Sequence, residues 1–244
     1  MSKQTTRDKL YAKPQDMIVD FAFDDAVVKV FPDMIRRSVP GYADIISLTG
    51  LLAEQYAQAG SRCYDLGCSL GAATLSMRQR IPSDCRMIAV DNSQAMIDSC
   101  RQHIDDDSGK ATVELHCANI QDVAITDASV VVLNFTLQFI QQDERLLILQ
   151  DIYAGLRAGG ILILSEKLGF DNQQEQDVQE RMQLAFKRAN GYSEMEISQK
   201  RSALEKVLIP DTLGQHQQRL AEAGFSQSYL WYQAFNFASI LAIK

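Results

Sequence analysis

Two strand ends carry the residues whose types and spacing suggest chemistry. The first is Asp65-Leu66-Gly67-Cys68-Ser69-Leu70-Gly71, directly after the short apolar run Cys63-Tyr64. An acidic residue closes a strand, small residues then let the backbone turn sharply, and a helix follows from about Ala72 to Arg80. Gly67 and Gly71 can take backbone angles closed to other residues and leave no Cβ in the way of a bound molecule. The second end is Met87-Ile88-Ala89-Val90-Asp91-Asn92, with Asp91 twenty residues past Gly71. One glycine-rich end beside one acidic end is how a doubly wound sheet holds a nucleoside, so the expected ligand contains adenosine.

Dinucleotide sites use G-x-G-x-x-G, whose amides meet a pyrophosphate at a helix N-terminus. This chain has G-x-S-x-G, with Ser69 in place of the second glycine and Asp65 two places before Gly67. An anion there repels a pyrophosphate and suits a ligand with an amino group and a sulfonium, which favours S-adenosyl-L-methionine over NAD. Asp91 is placed to accept hydrogen bonds from ribose hydroxyls, or else to cap the helix that begins near Ser93. Asn119-Ile120 ends the third strand region and could hold an adenine edge and face, or form an ordinary turn. Asn134 closes the run Val130-Val-Val-Leu-Asn134 and should be hydrogen-bonded or face the crevice, because an unpaired buried amide costs about 1–3 kcal/mol.

What is missing after the fourth strand is also informative. Amino-methylating enzymes carry Asn/Asp-Pro-Pro-aromatic there, whereas this chain reads Asn134-Phe135-Thr136-Leu137. No C-x-x-C or Pro-Cys pair offers a nucleophile for uracil methylation. His103, His116 and His216 all lie outside the strand-end motifs and are expected to be surface or structural residues.

The elements that must position these residues follow from the apolar pattern. A helix is expected from Tyr42 to about Gln58, with strands at 62–66, 86–91, 111–117, 128–134 and 160–166, and helices at 72–80, 93–106 and 142–156. Near-continuous apolar strands alternating with amphipathic helices indicate an α/β fold with a parallel sheet covered on both faces. Residues 16–40 are expected to form helices over the ligand side, and 1–15 a polar, frayed tail. Residues 171–210 are charged, Gln-rich and helical, an insertion before the last helix Leu213–Ala223. Strands 227–233 and 235–243, linked at Ala234, should form a C-terminal hairpin with one strand antiparallel to the rest. The result is a Rossmann-like, seven-stranded, mostly parallel sheet in a single domain over 16–244.

The chain has 244 residues, 46% of them apolar, and a formal charge of −7. Basic residues are scattered, so direct nucleic acid binding, which needs clustered Lys and Arg, is not expected. No long apolar run suggests a membrane span. Five separated cysteines fit a reducing cytoplasm and give no support to a metal site; Cys63 and Cys117 are expected to fill core space.

Three blocks carry a resemblance. They are Lys29-Val-Phe-Pro-Asp-Met-Ile35 continuing through Arg37-Ser-Val-Pro-Gly-Tyr42; Tyr64-Asp-Leu-Gly-Cys-Ser-Leu-Gly-Ala-Ala-Thr-Leu75; and Phe186-Lys-Arg-Ala-Asn-Gly-Tyr-Ser-Glu194 running into Glu196-Ile-Ser-Gln-Lys-Arg-Ser202. With these the chain resembles the carboxy-S-adenosyl-L-methionine synthases, from about Asp20 to Lys244 and including the insertion. The resemblance implies conversion of S-adenosyl-L-methionine and prephenate into carboxy-S-adenosyl-L-methionine and phenylpyruvate. It also implies a cytoplasmic homodimer, no metal, and a separate tRNA carboxymethyltransferase that uses the product at wobble uridine. Matched by motif, the family's ligand contacts fall on Tyr42, Gly67, Cys68, Ser69, Asp91, Asn92, Asn119, Ile120, Asn134 and Arg201. At Asn119 the family often has Asp. A conventional S-adenosyl-L-methionine-dependent methyltransferase is the alternative on the same fold.

The product of such a synthase bears a carboxylate that its precursor lacks. Arg201 is the expected anchor for it, because a guanidinium fork matches a carboxylate through two parallel hydrogen bonds. Lys187 and Arg188 are secondary candidates for a prephenate carboxylate. Tyr192 either closes the pocket or is structural.

Overall fold

The computed structural model describes residues 6–14 and 21–244. Its sheet has seven strands in the order β3-β2-β1-β4-β5-β7-β6. The strands are β1 (Arg62–Leu66), β2 (Arg86–Asp91), β3 (Thr112–Cys117), β4 (Ala128–Asn134), β5 (Leu156–Lys167), β6 (Gln227–Ala234) and β7 (Phe237–Ile243). The first five pair in parallel, and β7 runs antiparallel between β5 and β6. The helices are α1 (Asp25–Ser38), α2 (Tyr42–Tyr56), α3 (Ala72–Arg78), α4 (Gln94–Asp105), α5 (Arg145–Gly155), α6 (Gln173–Ala189), α7 (Glu194–Leu204) and α8 (Leu213–Ala223).

Successive strand side chains point to opposite faces, so burial on both faces requires an unbroken apolar run. Tyr64, Ile88, Val131, Leu133, Leu162 and Leu164 join one core cluster with residues of α5 and α8. Their neighbours Cys63, Met87, Val130, Val132, Ile161 and Ile163 join a second with Ala53, Ala73 and Met77 of α2 and α3. The order reverses beside β1, whose neighbours β2 and β4 are reached by crossovers in opposite directions; ligand crevices open at such a point.

Several expectations shift in detail. Helix α5 begins at Arg145 rather than near residue 142, and β5 begins at Leu156 rather than 160. The hairpin turns at Phe235-Asn236, with Phe235 at φ 54°, rather than at Ala234. Helix α1 runs through Pro32. Cys117 ends an edge strand and is exposed, so it does not fill the core, whereas Cys63 does. The expected frayed tail, 1–15, lies partly outside the described residues, but residues 7–13 are tied down. The Asp8 N–H donates to Asp33 Oδ2 at 2.8 Å, Tyr192 Oη donates to Asp8 Oδ2 at 2.6 Å, and Gln199 Nε2 donates to the Tyr11 and Lys13 carbonyls at 2.9 and 3.0 Å.

The insertion is fastened where it returns to the sheet. Arg145 and Asp211 are fully buried, and Arg145 Nη1 meets Asp211 Oδ2 at 2.5 Å. The same guanidinium donates to the carbonyls of Ile140, Gln138 and Ile209, while Asp211 also accepts from Gln142 Nε2 and Arg219 Nη1. These bonds hold the Asp211 carboxyl below the usual carboxylate range against the opposing effect of burial. Its folded-state pKa therefore lies below the unfolded one, and the stability it contributes is present above the unfolded value and is lost as pH falls through the folded one. Breaking a buried pair leaves an uncompensated charge, so Arg145→Met should lower unfolding free energy by about 3–5 kcal/mol in urea denaturation.

Candidate active site

The turn after β1 is built around positive φ angles: Gly67 at 87°, Ser69 at 49° and Gly71 at 84°. The N–H groups of Gly67 and Cys68 both donate to the Val90 carbonyl, at 2.8 and 2.9 Å, which lays the turn over the end of β2. Ser69 adopts the left-handed region although it has a Cβ, and an external brace holds it there: its N–H donates to Asp91 Oδ2 at 2.9 Å. The other Asp91 oxygen accepts from the Ser93 N–H at 2.9 Å. Ser93, not Asp91, caps α4, accepting from the Met96 N–H. Asp91 thus joins the two strand ends, with lone pairs to spare for a ligand.

A cavity of about 680 Å³ opens over these strand ends and extends beneath α6 and α7. All ten residues expected to contact ligand line it: Tyr42, Gly67, Cys68, Ser69, Asp91, Asn92, Asn119, Ile120, Asn134 and Arg201. Asn92 Nδ2 donates to Asn119 Oδ1 at 3.3 Å, and Asn119 Nδ2 donates to Asp122 Oδ2 at 3.1 Å. This leaves Asn119 one acceptor lone pair, which an Asp would also have, and one N–H to offer. Ile120 is buried in the core cluster that also holds Leu66 and Val90. Asn134 Oδ1 accepts from Ser165 Oγ at 2.7 Å, while Asn134 Nδ2 is buried with no partner. That orphaned donor at a strand end is the feature of a site awaiting an acceptor.

The cavity is electrically divided. At the strand ends, Asp65 is buried and accepts from Thr74 Oγ1 at 2.6 Å; burial pushes its carboxyl up to about 6. Asp91 is likewise pushed up by burial. Burial, with Asp65 nearby, drives the Tyr42 hydroxyl well above its usual range. The end of β5 and the insertion bring four cations to the cavity, Lys167, Lys187 from α6, and Lys200 and Arg201 from α7, against two acids there, Glu180 and Glu205. Arg201 stands on the rim, its side chain 66% exposed and paired with Glu180 at 3.4 Å.

The secondary candidates divide. Lys187 lines the cavity. Arg188 does not; it is paired with Glu194 on the surface. Tyr192 is buried outside the cavity, its ring 3.8 Å beneath the Arg37 guanidinium, and is structural. None of the three histidines lines the cavity. His103 Nδ1 lies 2.9 Å from the Leu70 carbonyl, and burial pulls buried His216 down to about 4. Sequence reasoning missed Lys167 and Lys200. Lys167 follows the strand-end rule that found Asp91, but nothing in a run of Gln199-Lys200-Arg201 distinguishes a buried lysine from a solvated one.

Residues 63–160 match the family model of a methyltransferase domain. A carboxy-S-adenosyl-L-methionine synthase of Citrifermentans bemidjiense is 61% identical over 246 residues, covering 100% of both chains. The chain belongs to the carboxy-S-adenosyl-L-methionine synthase family. A synthase of the same family from Vibrio cholerae is 54% identical over 244 residues, covering 100% of this chain and 99% of its relative. Solved structures share the fold at lower identity. Human N-acetylserotonin methyltransferase, in complex with S-adenosylmethionine, superposes with a TM-score of 0.60 at 16% identity, over 90% of this chain and 55% of that one. An O-methyltransferase family protein from Burkholderia thailandensis gives 0.62 at 17%, over 91% and 60%.

Gly67 has the least tolerance in this site. A Cβ there would lie 2.2 Å from Thr136 Oγ1, at a φ that side chains rarely adopt. Gly67→Ala should therefore lose about 1–3 kcal/mol of stability and the greater part of nucleoside affinity, checked by thermal unfolding and calorimetry.

Proposed function

We propose that this protein carboxylates the methyl group of S-adenosyl-L-methionine with the carbon dioxide released from prephenate, yielding carboxy-S-adenosyl-L-methionine and phenylpyruvate. The single observation that carries the reading is the cavity's division, acids at the strand ends facing cations on the insertion. Asp65 and Asp91 suit a ligand with an ammonium, a sulfonium and ribose hydroxyls. Arg201 supplies the carboxylate fork that plain alkyl transfer would not use.

The adenosyl group would lie over the Gly67–Ser69 turn, with Asp91 accepting from ribose and Asn119 and Ile120 meeting the adenine. The sulfonium acidifies its methyl group, and proton loss leaves an ylide carbon. Prephenate loses its ring carboxylate as carbon dioxide and its ring hydroxyl as hydroxide, and so becomes phenylpyruvate. The ylide carbon bonds the carbon dioxide; the methyl proton and the hydroxide leave as water. Capture needs the two reactants held together and bulk water kept out. The roof of α6 and α7 supports that requirement. The acidic chain then makes a donor and need not grip RNA, the product passing to a tRNA carboxymethyltransferase that acts on wobble uridine. A cytoplasmic homodimer is part of the same reading; exposed Leu48 and Leu51 on α2 and Val178 and Met182 on α6 support association.

Purified protein given S-adenosyl-L-methionine and prephenate should raise the cofactor's mass by one carbon dioxide. Formation of S-adenosylhomocysteine instead would favour a conventional methyltransferase. Arg201→Ala should weaken binding of the carboxylated product by about 1.5–3 kcal/mol and leave S-adenosyl-L-methionine nearly unaffected, measured by calorimetry. Equal losses for both ligands would remove Arg201 from the carboxylate.

A further inference from the structure

We infer that Lys200, Lys187 and Lys167 form a second anion subsite, separate from Arg201, that holds the carboxylate which survives in the second product. This rests on the reading above and identifies the part of the wall that takes the dianionic substrate.

Lys200 is the centre of the argument. It is 6% exposed, and its Nζ meets neutral groups: Ser38 Oγ at 3.1 Å and the Tyr192 ring, 5.7 Å from its centroid. Among the described residues, none of the three lysines has a carboxylate within ion-pair distance. They are also close enough to disfavour one another's charge. Burial first, then Lys187, lowers Lys200 to about 7 despite the pull of Asp8. Burial, then Lys167 and Arg201, lowers Lys187 to about 8, and burial with Arg201 lowers Lys167 against the pull of Glu180. Buried charges are normally paired. Three lysines line one cavity with no described carboxylate in ion-pair contact, Glu180 being paired with Arg201, and such a group is a site whose anion arrives with the ligand.

S-adenosyl-L-methionine is not that anion. Its sulfonium, ammonium and carboxylate sum to one positive charge, which belongs beside Asp65 and Asp91 at the other end of the cavity. A substrate with two carboxylates fits the lysine wall, and chemistry decides which carboxylate it holds. A carboxylate that departs as carbon dioxide must give up its negative charge to the ring, and an ammonium ion pair would hold that charge in place. The lysines therefore bind the side-chain keto-acid carboxylate, which leaves the departing one unpaired and near the sulfonium. Phenylpyruvate retains the bound group and should occupy the same subsite.

The test compares the wild type with Lys200→Met, Lys187→Met and Lys200→Arg, each checked for folding by thermal melting. In the Met variants, the KM for prephenate and the Kd for phenylpyruvate should rise about 10- to 100-fold, the worth of a charge-assisted bond. The Kd of S-adenosyl-L-methionine should change less than about threefold, which is under 0.7 kcal/mol. Lys200→Arg should recover part of the loss. Phenylpyruvate binding equally to wild type and Met variants, or not binding the wild type, would overturn the subsite, as would a parallel loss of S-adenosyl-L-methionine affinity. A wild type that binds phenylpyruvate through these lysines but does not carboxylate its cofactor with prephenate would refute the reaction and leave the subsite standing.

Discussion

The buried Arg145–Asp211 pair is the constraint on which the rest of the architecture depends. A Rossmann-like sheet alone presents an open crevice at its strand ends. Here an excursion of some forty residues leaves β5, forms α6 and α7 above that crevice, and must come back in fixed register. The return is secured at Asp211, whose carboxylate binds Arg145 and Arg219, while its backbone bridges to Leu168 and accepts from the Gly169 N–H. Because Arg145 also binds the Gln138, Ile140 and Ile209 carbonyls, one guanidinium joins the turn after β4 to the end of the insertion. Glu166 secures that turn from the other side, accepting from the Leu137 and Gln138 N–H groups at 2.9 and 3.0 Å; burial pushes its carboxyl up to about 8.

With the roof fixed, the cavity gains two electrostatic ends from two different sources. The acids belong to the sheet and come from the general plan of the fold. The cations, apart from Lys167, belong to the insertion. A methyltransferase-type core thus keeps its nucleoside end and acquires an opposing charge by adding a helical segment. The two functions can then vary separately, as the wide spread of chemistry on this fold requires.

The sequence disclosed the sheet well. Strands buried on both faces must read as unbroken apolar runs, and 62–66, 86–91 and 128–134 are described with those bounds. The strand-end rule also placed Gly67, Asp91 and Asn134 at one crevice. Helix starts were less legible: polar Gln141–Glu144 precede α5 in a turn that composition does not distinguish from a first helical turn. Least legible was everything decided by long-range contact. Lys200 looks solvated until α7 packs against Ser38, and Tyr192 looks like a pocket residue until Asp8 accepts its hydroxyl. The exposed place of Cys117 follows from β3 being an edge strand, a property of sheet order rather than of local sequence.

Asp8 and Tyr192 are 184 residues apart, and the side chain of Gln199 reaches back to Tyr11 across 188. The segment around Asp8 and Tyr11 is therefore made well before the helical insertion that supplies these partners. Asp8 meets α1 through Asp33 and Arg37, and its distant partner Tyr192 lies in the turn between α6 and α7. Closing so long a loop carries an entropic cost, so attachment of this strap depends on the insertion already being in place to receive it.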